Sequence, residues 1–418
     1  MFDRISMVGL GYIGLPTAAL FAAHGVRVIG VDVSQRVVDT INAGKIHLVE
    51  PDLDGVVHNV VNKGLLHATL VPEPAEAFII AVPTPFKDAH EPDLSYIASA
   101  ARMIAPVLEP GNLVILESTS PVGATEQMAA WLAEARPDLI FPQDAGDDAD
   151  IHIAHCPERV LPGQVLTELV HNDRIIGGMS QRASELAVAL YKKVVRGDCV
   201  ITDARTAEMC KLTENSSRDV QIAFANELSI ICDRFSIDVW ELIALANRHP
   251  RVNILQPGAG VGGHCIAVDP WFIVSSAPDE ARLIRTAREV NDAKPDWVLH
   301  KGKEAIMDAL AADQSRAMED IKVACLGLAF KPDIDDLRES PALQITSQFG
   351  ALGCQVLVVE PHIDALPEGL AGLPVTLASL EDAIAQADVV CVLVRHSVFS
   401  ALGDKLADVK RLINVVGL

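Results

Sequence analysis

Cys265 follows a segment with four glycines in six residues, Gly258-Ala259-Gly260-Val261-Gly262-Gly263, and His264. Such a run lets backbone come close to a ligand and presents the thiol on a turn. A thiol placed that way is a candidate nucleophile. The other seven cysteines read better as core: Cys325 and Cys391 lie in strand-like apolar runs, and Cys210 and Cys232 lie in a helical pattern, where a thiol behaves as a small hydrophobe. Asp269 comes four residues after Cys265 and just before Pro270, which suits a helix N-cap followed by proline at the first helical position. It is also able to orient a water or a cation beside the thiol. Lys211, Asn215 and Arg218, spaced by four and three, share one helix face. That face is either a solvated polar surface or, through Lys211 and Asn215, a pair of donors for a developing oxyanion. Glu158 in His155-Cys156-Pro157-Glu158-Arg159 is either a surface carboxylate or, if it points into the same cleft, a general base.

A second group of residues suits a dinucleotide. Gly9-Leu10-Gly11-Tyr12-Ile13-Gly14 stands between a strand-like run and a helical one. Gly9 permits the tight turn, Gly11 lets backbone approach a pyrophosphate, and Gly14 allows close helix packing, with the anion resting on the helix N-terminus. Asp32 ends the next strand, eighteen residues beyond Gly14, where a carboxylate accepts from a ribose diol and repels a 2′-phosphate. The expected cofactor is NAD rather than NADP. Thr84 and Thr119 each follow an apolar strand pattern, so both hydroxyls either line the cofactor crevice or satisfy local backbone groups.

These residues need a scaffold, and the chain has the pattern of one. From Ile5 to about Arg196 short β-branched runs alternate with helical stretches, the signature of βαβ units and a parallel sheet. After Asp203, a suitable N-cap, no Gly or Pro occurs through Phe235, and Val220, Ala223, Phe224, Leu228, Ile231 and Cys232 recur at helical spacing. One long helix with an apolar stripe is expected, able either to join two lobes or to form a dimer seam. Residues 311–320 read as a linker, and strand patterns restart at Ile321. The segment from Lys322, KVACLGLAFK, resembles a second copy of the first βαβ unit in which Ala329 and Phe330 replace the later glycines. The expected fold is α/β: two Rossmann-like doubly wound lobes, 1–200 and 313–418, joined by a helical middle, 201–312.

Among 418 residues, 34 Lys+Arg against 56 Asp+Glu leave a formal charge of −22, which argues against a nucleic-acid binder. With 50% hydrophobic and 22% charged residues the chain is globular. Scattered cysteines without a CxxC pair point to reduced thiols and a cytoplasmic protein. The apolar start, Ile5 to Ala23, is broken by Gly9, Gly11, Gly14 and Pro16, so neither a secretory signal nor a membrane span is expected.

Taken together, GLGYIGLP, STSPVG, CPER, KLTENS, GVGGHC with Asp269, and GLAFKPDIDDLRESPA occur in the order found in the UDP-glucose/GDP-mannose dehydrogenase family, which the whole chain resembles. The resemblance implies an NAD-dependent, four-electron oxidation of a sugar C6 alcohol to a carboxylate through a cysteine-bound intermediate. Glucose-specific members usually carry a lysine before the aspartate that follows the nucleophile. Val268 stands there, which points to a UDP-N-acetylhexosamine, the mannosamine epimer ahead of the glucosamine one. By resemblance Cys265 is the nucleophile, Lys211 and Asn215 serve the oxyanion, and Asp269 orients Lys211 or the attacking water. Glu158 assists thioester hydrolysis and Thr119 holds the water network. Arg159, Val160, Arg218, His249, Arg251 and Gly262 match sugar- and nucleotide-contacting positions, and Phe330, Lys331 and Arg338 match the UDP-binding segment. Two other readings remain: a two-electron hydroxyacid dehydrogenase, which has no use for Cys265, and a nucleotide-sensing module without chemistry.

Overall fold

A computed structural model describes residues 2–418 apart from 49, 88–89, 161–162, 264, 403–405 and 407. His264, inside the glycine-rich run, therefore lies outside the described residues. The chain divides into two compact units, Met1–Glu214 and Asn215–Leu418.

The first unit holds an eight-stranded sheet. Its strands are β1 Arg4–Val8, β2 Arg27–Val31, β3 Leu66–Thr69, β4 Ala77–Ile80, β5 Leu113–Leu116, β6 His152–His155, β7 Arg174–Gly178 and β8 Cys199–Asp203. They lie in the order β3-β2-β1-β4-β5-β6-β7-β8. Ile5, Met7 and Ile79 face one apolar core, while Val8, Phe78 and Ile80 face another, so both sheet faces are covered. That double burial is why these strands read as continuous apolar runs. The expectation of an all-parallel sheet needs one correction. β6 and β7 pair antiparallel, Ala154 with Gly178 and His155 with Gly177. Antiparallel neighbours need no crossover connection, and the helix described between them, Val165–His171, is short.

The second unit holds a five-stranded parallel sheet, β9 Lys322–Leu326, β10 Gln355–Val359, β11 Val375–Leu377, β12 Val389–Val392 and β13 Leu412–Asn414, in the order β11-β10-β9-β12-β13. Its core includes Val298, Leu299 and Ile306 from the helix Arg282–Ala312.

The long helix runs Ala204–Phe235. Asp203 caps it, accepting from the Thr206 backbone N–H at 2.9 Å and from its hydroxyl at 2.7 Å. The expected single apolar stripe divides between two faces. Ala223 and Cys232 are buried, whereas Phe224 (51% exposed), Ile231 (44%) and Phe235 (65%) look outward. The inward face is partly polar: Asp219 and Asn226 meet Arg288 and Asn291 of the helix Arg282–Ala312, with Arg288 Nη1 2.6 Å from Asp219 Oδ1 and Asn226 Nδ2 donating to Asn291 Oδ1 at 2.9 Å.

Candidate active site

The turn after β1 is built around glycine because a side chain would collide with backbone there. Gly9 has φ +91°, and its N–H donates to Val31 O at 2.8 Å. A Cβ on Gly9 would lie 2.4 Å from Ala81 O, and one on Gly14 only 1.8 Å from Gly9 O. Gly11 differs, because a Cβ there would meet nothing within 4 Å. The space above Gly11 is open, as a backbone that must approach a pyrophosphate requires. The helix Gly14–Ala23 begins without a side-chain cap, so no side chain competes with an anion at its N-terminus. Half-buried Asp32 accepts from Leu10 N at 3.0 Å and Ser34 N at 2.9 Å, which fixes its carboxylate at the end of β2. Tyr12 is exposed and Ile13 half-buried beside the turn. Thr84 Oγ1 is buried with no hydrogen-bond partner among the described residues, and Thr119 is half-buried. These features fit a bound dinucleotide.

Glu158 does not lie on the surface. It is 6% exposed, accepts from Arg159 N at 2.6 Å, and has Oε2 2.9 Å from Arg174 Nη2. Arg174 also reaches Glu117 Oε1 at 3.3 Å, and Tyr191 donates its hydroxyl to the same oxygen at 3.1 Å. Burial pushes Glu117 up to about 7, against the pull of Arg174. Glu117, Arg174 and Tyr191 were missed by sequence reasoning; a charge at each end of otherwise apolar strand runs was the available signal. Arg159 pairs with Glu214 at 2.7 Å, and Val160 packs against the first core.

Cys265 is exposed. Its carbonyl accepts from Asp269 N at 2.9 Å, which closes the turn. Asp269 is not the N-cap. Val268 holds that position, and Asp269 and Pro270 are the first two residues of the helix Asp269–Ser276. Its buried carboxylate is instead occupied by Asn215, whose Nδ2 donates to Asp269 Oδ2 at 2.5 Å. Lys211 lies half-buried one turn before Asn215, and Arg218 is exposed.

The glycines before Cys265 also serve packing within the chain. A Cβ on Gly262 would lie 2.4 Å from Glu339 O and 2.8 Å from Phe330 Cβ; Gly263, at φ +81°, would strike the Phe330 ring. Gly263 N donates to Arg338 O at 3.1 Å. The structure thus joins the cysteine turn to the segment Phe330–Pro341, two motifs far apart in sequence. Arg338 itself pairs with Asp336, with 2.6 Å between Nη2 and Oδ2, and Lys331 is exposed. His249 and Arg251 sit on an exposed loop.

Three family models match in sequence order: the UDP-glucose/GDP-mannose dehydrogenase NAD binding domain over residues 3–195, the central domain over 205–293 and the UDP binding domain over 324–416. The chain belongs to the UDP-glucose/GDP-mannose dehydrogenase family and is an NAD-dependent oxidoreductase. A UDP-N-acetyl-D-mannosamine dehydrogenase of Yersinia pestis is 64% identical over 411 residues, covering 98% of this chain and 97% of that protein. An NDP-N-acetyl-D-galactosaminuronic acid dehydrogenase of Ralstonia nicotianae is 61% identical over 419 residues, covering 100% and 96%. Among solved structures, the UDP-D-ManNAc dehydrogenase of Pyrococcus horikoshii superposes with a TM-score of 0.86 at 38% identity, covering 99% of this chain and 95% of that one. Among the described residues no helix is long and apolar enough to cross a membrane.

Proposed function

We propose that the protein oxidises UDP-N-acetyl-D-mannosamine at C6 to the uronate, with Cys265 as the covalent nucleophile. The observation that carries this reading is the exposed Cys265 turn, closed onto Asp269, whose carboxylate is held by Asn215 of the long helix. The division of labour follows the sequence: residues 1–200 hold NAD, 201–312 carry the chemistry and 313–418 hold the UDP moiety.

When bound, NAD accepts the hydride in each of the two oxidations. The chain's own residues do the rest. Gly9, Gly11, Tyr12, Ile13 and Gly14 cradle the pyrophosphate, Asp32 takes the ribose hydroxyls, and Thr84 and Thr119 line the crevice. Lys211 and Asn215 donate to the oxygen on C6 as charge develops there. The Cys265 sulfur attacks the aldehyde carbon, and the cation of Lys211 favours the attacking thiolate. After the second oxidation the thioester is cleaved by water: Glu158 takes one water proton, the oxygen bonds to C6, the C–S bond breaks and the thiolate leaves. Overall one alcohol, two NAD and one water give one carboxylate, two NADH and three protons. Arg159, Val160, Arg218, His249, Arg251, Gly262, Phe330, Lys331 and Arg338 contact the nucleotide sugar. The reaction belongs to the cytoplasm, where thiols stay reduced; no disulfide joins any of the eight cysteines.

NADH formed per sugar consumed tests this directly. About two per UDP-N-acetyl-D-mannosamine is expected, and Cys265→Ala abolishes uronate formation with NAD affinity within about twofold. One NADH per sugar, or undiminished turnover in Cys265→Ser, would mean simple dehydrogenase chemistry. The galactosaminuronic relative makes substrate choice a separate question, so the mannosamine, glucosamine and galactosamine UDP-sugars are offered individually.

The outward residues Phe224, Ile231 and Phe235, with half-buried Leu228 between them, support a homodimer through the long helix. Light scattering at micromolar concentration is expected to give twice the chain mass, and Phe224→Glu/Ile231→Glu to give a monomer. A monomeric unaltered protein would refute the seam.

A further inference from the structure

We propose that Arg174 is a positioning residue for Glu158, holding that side chain in place while the thioester on Cys265 is hydrolysed. The proposal rests on the reading of Glu158 as the base of that step. It starts from the antiparallel turn of β7. The register pairs residue 155 with 177 and 154 with 178. Continuing it three residues beyond His155 brings position 158 opposite position 174. A parallel β7 would carry Arg174, its first residue, to the other end of the sheet. The observed sheet therefore places a guanidinium beside Glu158, with Nη2 2.9 Å from Oε2.

Glu158 is 6% exposed and Arg174 4%. A charged partner within reach fixes where so buried a carboxyl group points, and Arg174 is that partner. Its N–H is not aimed along a hydrogen bond to Oε2, so the contact acts as an ion pair. Glu117 competes for the same cation from the other side, and burial pushes its carboxyl up to about 7. Arg174 is thus shared between two carboxyl groups, and its nearer contact, 2.9 Å against 3.3 Å, is to Glu158. The Tyr191 ring backs the guanidinium at 4.9 Å, and its hydroxyl fixes Glu117. A buried ion pair stabilises a fold little better than apolar residues would, so stability alone does not account for this arrangement.

The test separates hydrolysis from the oxidations before it. In Arg174→Met, rapid mixing with NAD and UDP-N-acetyl-D-mannosamine is expected to show an initial burst of two NADH per chain at a rate within about threefold of the unaltered protein. Steady turnover falls roughly 100-fold, the scale of a lost general base. Intact-mass measurement finds the sugar acyl group on Cys265. Should the lone Glu117 prevent folding, Arg174→Met/Glu117→Leu removes both partners and predicts the same adduct. Burst and turnover falling together without adduct, in a folded variant, would overturn the proposal. Glu158→Gln is the control: it too accumulates adduct. If it turns over normally without one, the assignment of Glu158 fails, and the role of Arg174 falls with it.

Discussion

The two sheets repeat one design and use it differently. Both run in the order third-second-first-fourth-fifth strand. Each first strand is followed at once by a glycine of left-handed φ, Gly9 at +91° and Gly327 at +92°, whose N–H donates at 2.8 Å to the last residue of the second strand, Val31 or Val359. An acid follows in each case and accepts from the turn: Asp32 from Leu10 N, and Glu360 from Leu328 N at 2.7 Å and Ala329 N at 3.0 Å. There the likeness ends. Space over Gly11 is open, whereas buried Ala329 occupies the matching position. Asp32 stays half-exposed, while Glu360 is buried and takes a further hydrogen bond from His396 Nε2 at 3.1 Å. Both acids staple their own turns, and only Asp32 also remains half-exposed.

The most forceful way to break this contrast is to delete both acids. Glu360→Ala strands three backbone donors, those of Leu328, Ala329 and His362, and a fully buried imidazole, so a loss of about 3 kcal/mol in urea unfolding is expected, with little change in KM for NAD. Asp32→Ala exposes its donors near the surface and is expected to lose about 1 kcal/mol, while KM for NAD rises on the order of 10- to 100-fold, the range for hydrogen bonds to a charged group. Equal stability losses with an unmoved KM would show that both acids merely staple turns.

Much of this was legible from the chain. The strand runs, the GxGxxG turn with Asp32, the long helix cap at Asp203 and the likeness of the two turns all follow from local patterns, because each depends on neighbours within some thirty residues. What escaped depends on partners far apart. The reversal of β7 is decided by which edge of the sheet is available, and Arg174 looked like the start of an ordinary strand. The apolar positions of the long helix were visible, yet the polar layer of Arg288 and Asn291 that turns Phe224 and Ile231 outward lies some sixty-five residues on. Asp269 before Pro270 read as a cap because the sequence cannot show Asn215 waiting for its carboxylate.

The smallest expected effect concerns pH, where the two units carry buried carboxyls of opposite sign. For Glu360 burial pushes the carboxyl up, but the hydrogen bond from His396 and the N–H groups of Leu328 and Ala329 prevail and hold it below the usual range. A depressed carboxyl adds stability above its unfolded value, near 4.3, and that contribution disappears as pH falls through the folded value. Glu117 is raised to about 7 by burial, so the folded chain binds a proton that the unfolded chain has released between about pH 4.3 and 7. Stability from this group therefore declines as pH rises through that window and is level above it. Relative to the unaltered protein, Glu117→Gln is expected to gain melting temperature steadily from pH 5 to 7.5. Glu360→Gln is expected to be destabilised at pH 7 and to approach the unaltered protein near pH 4. Parallel profiles for the two variants would show that burial does not lift Glu117 above the usual carboxyl range.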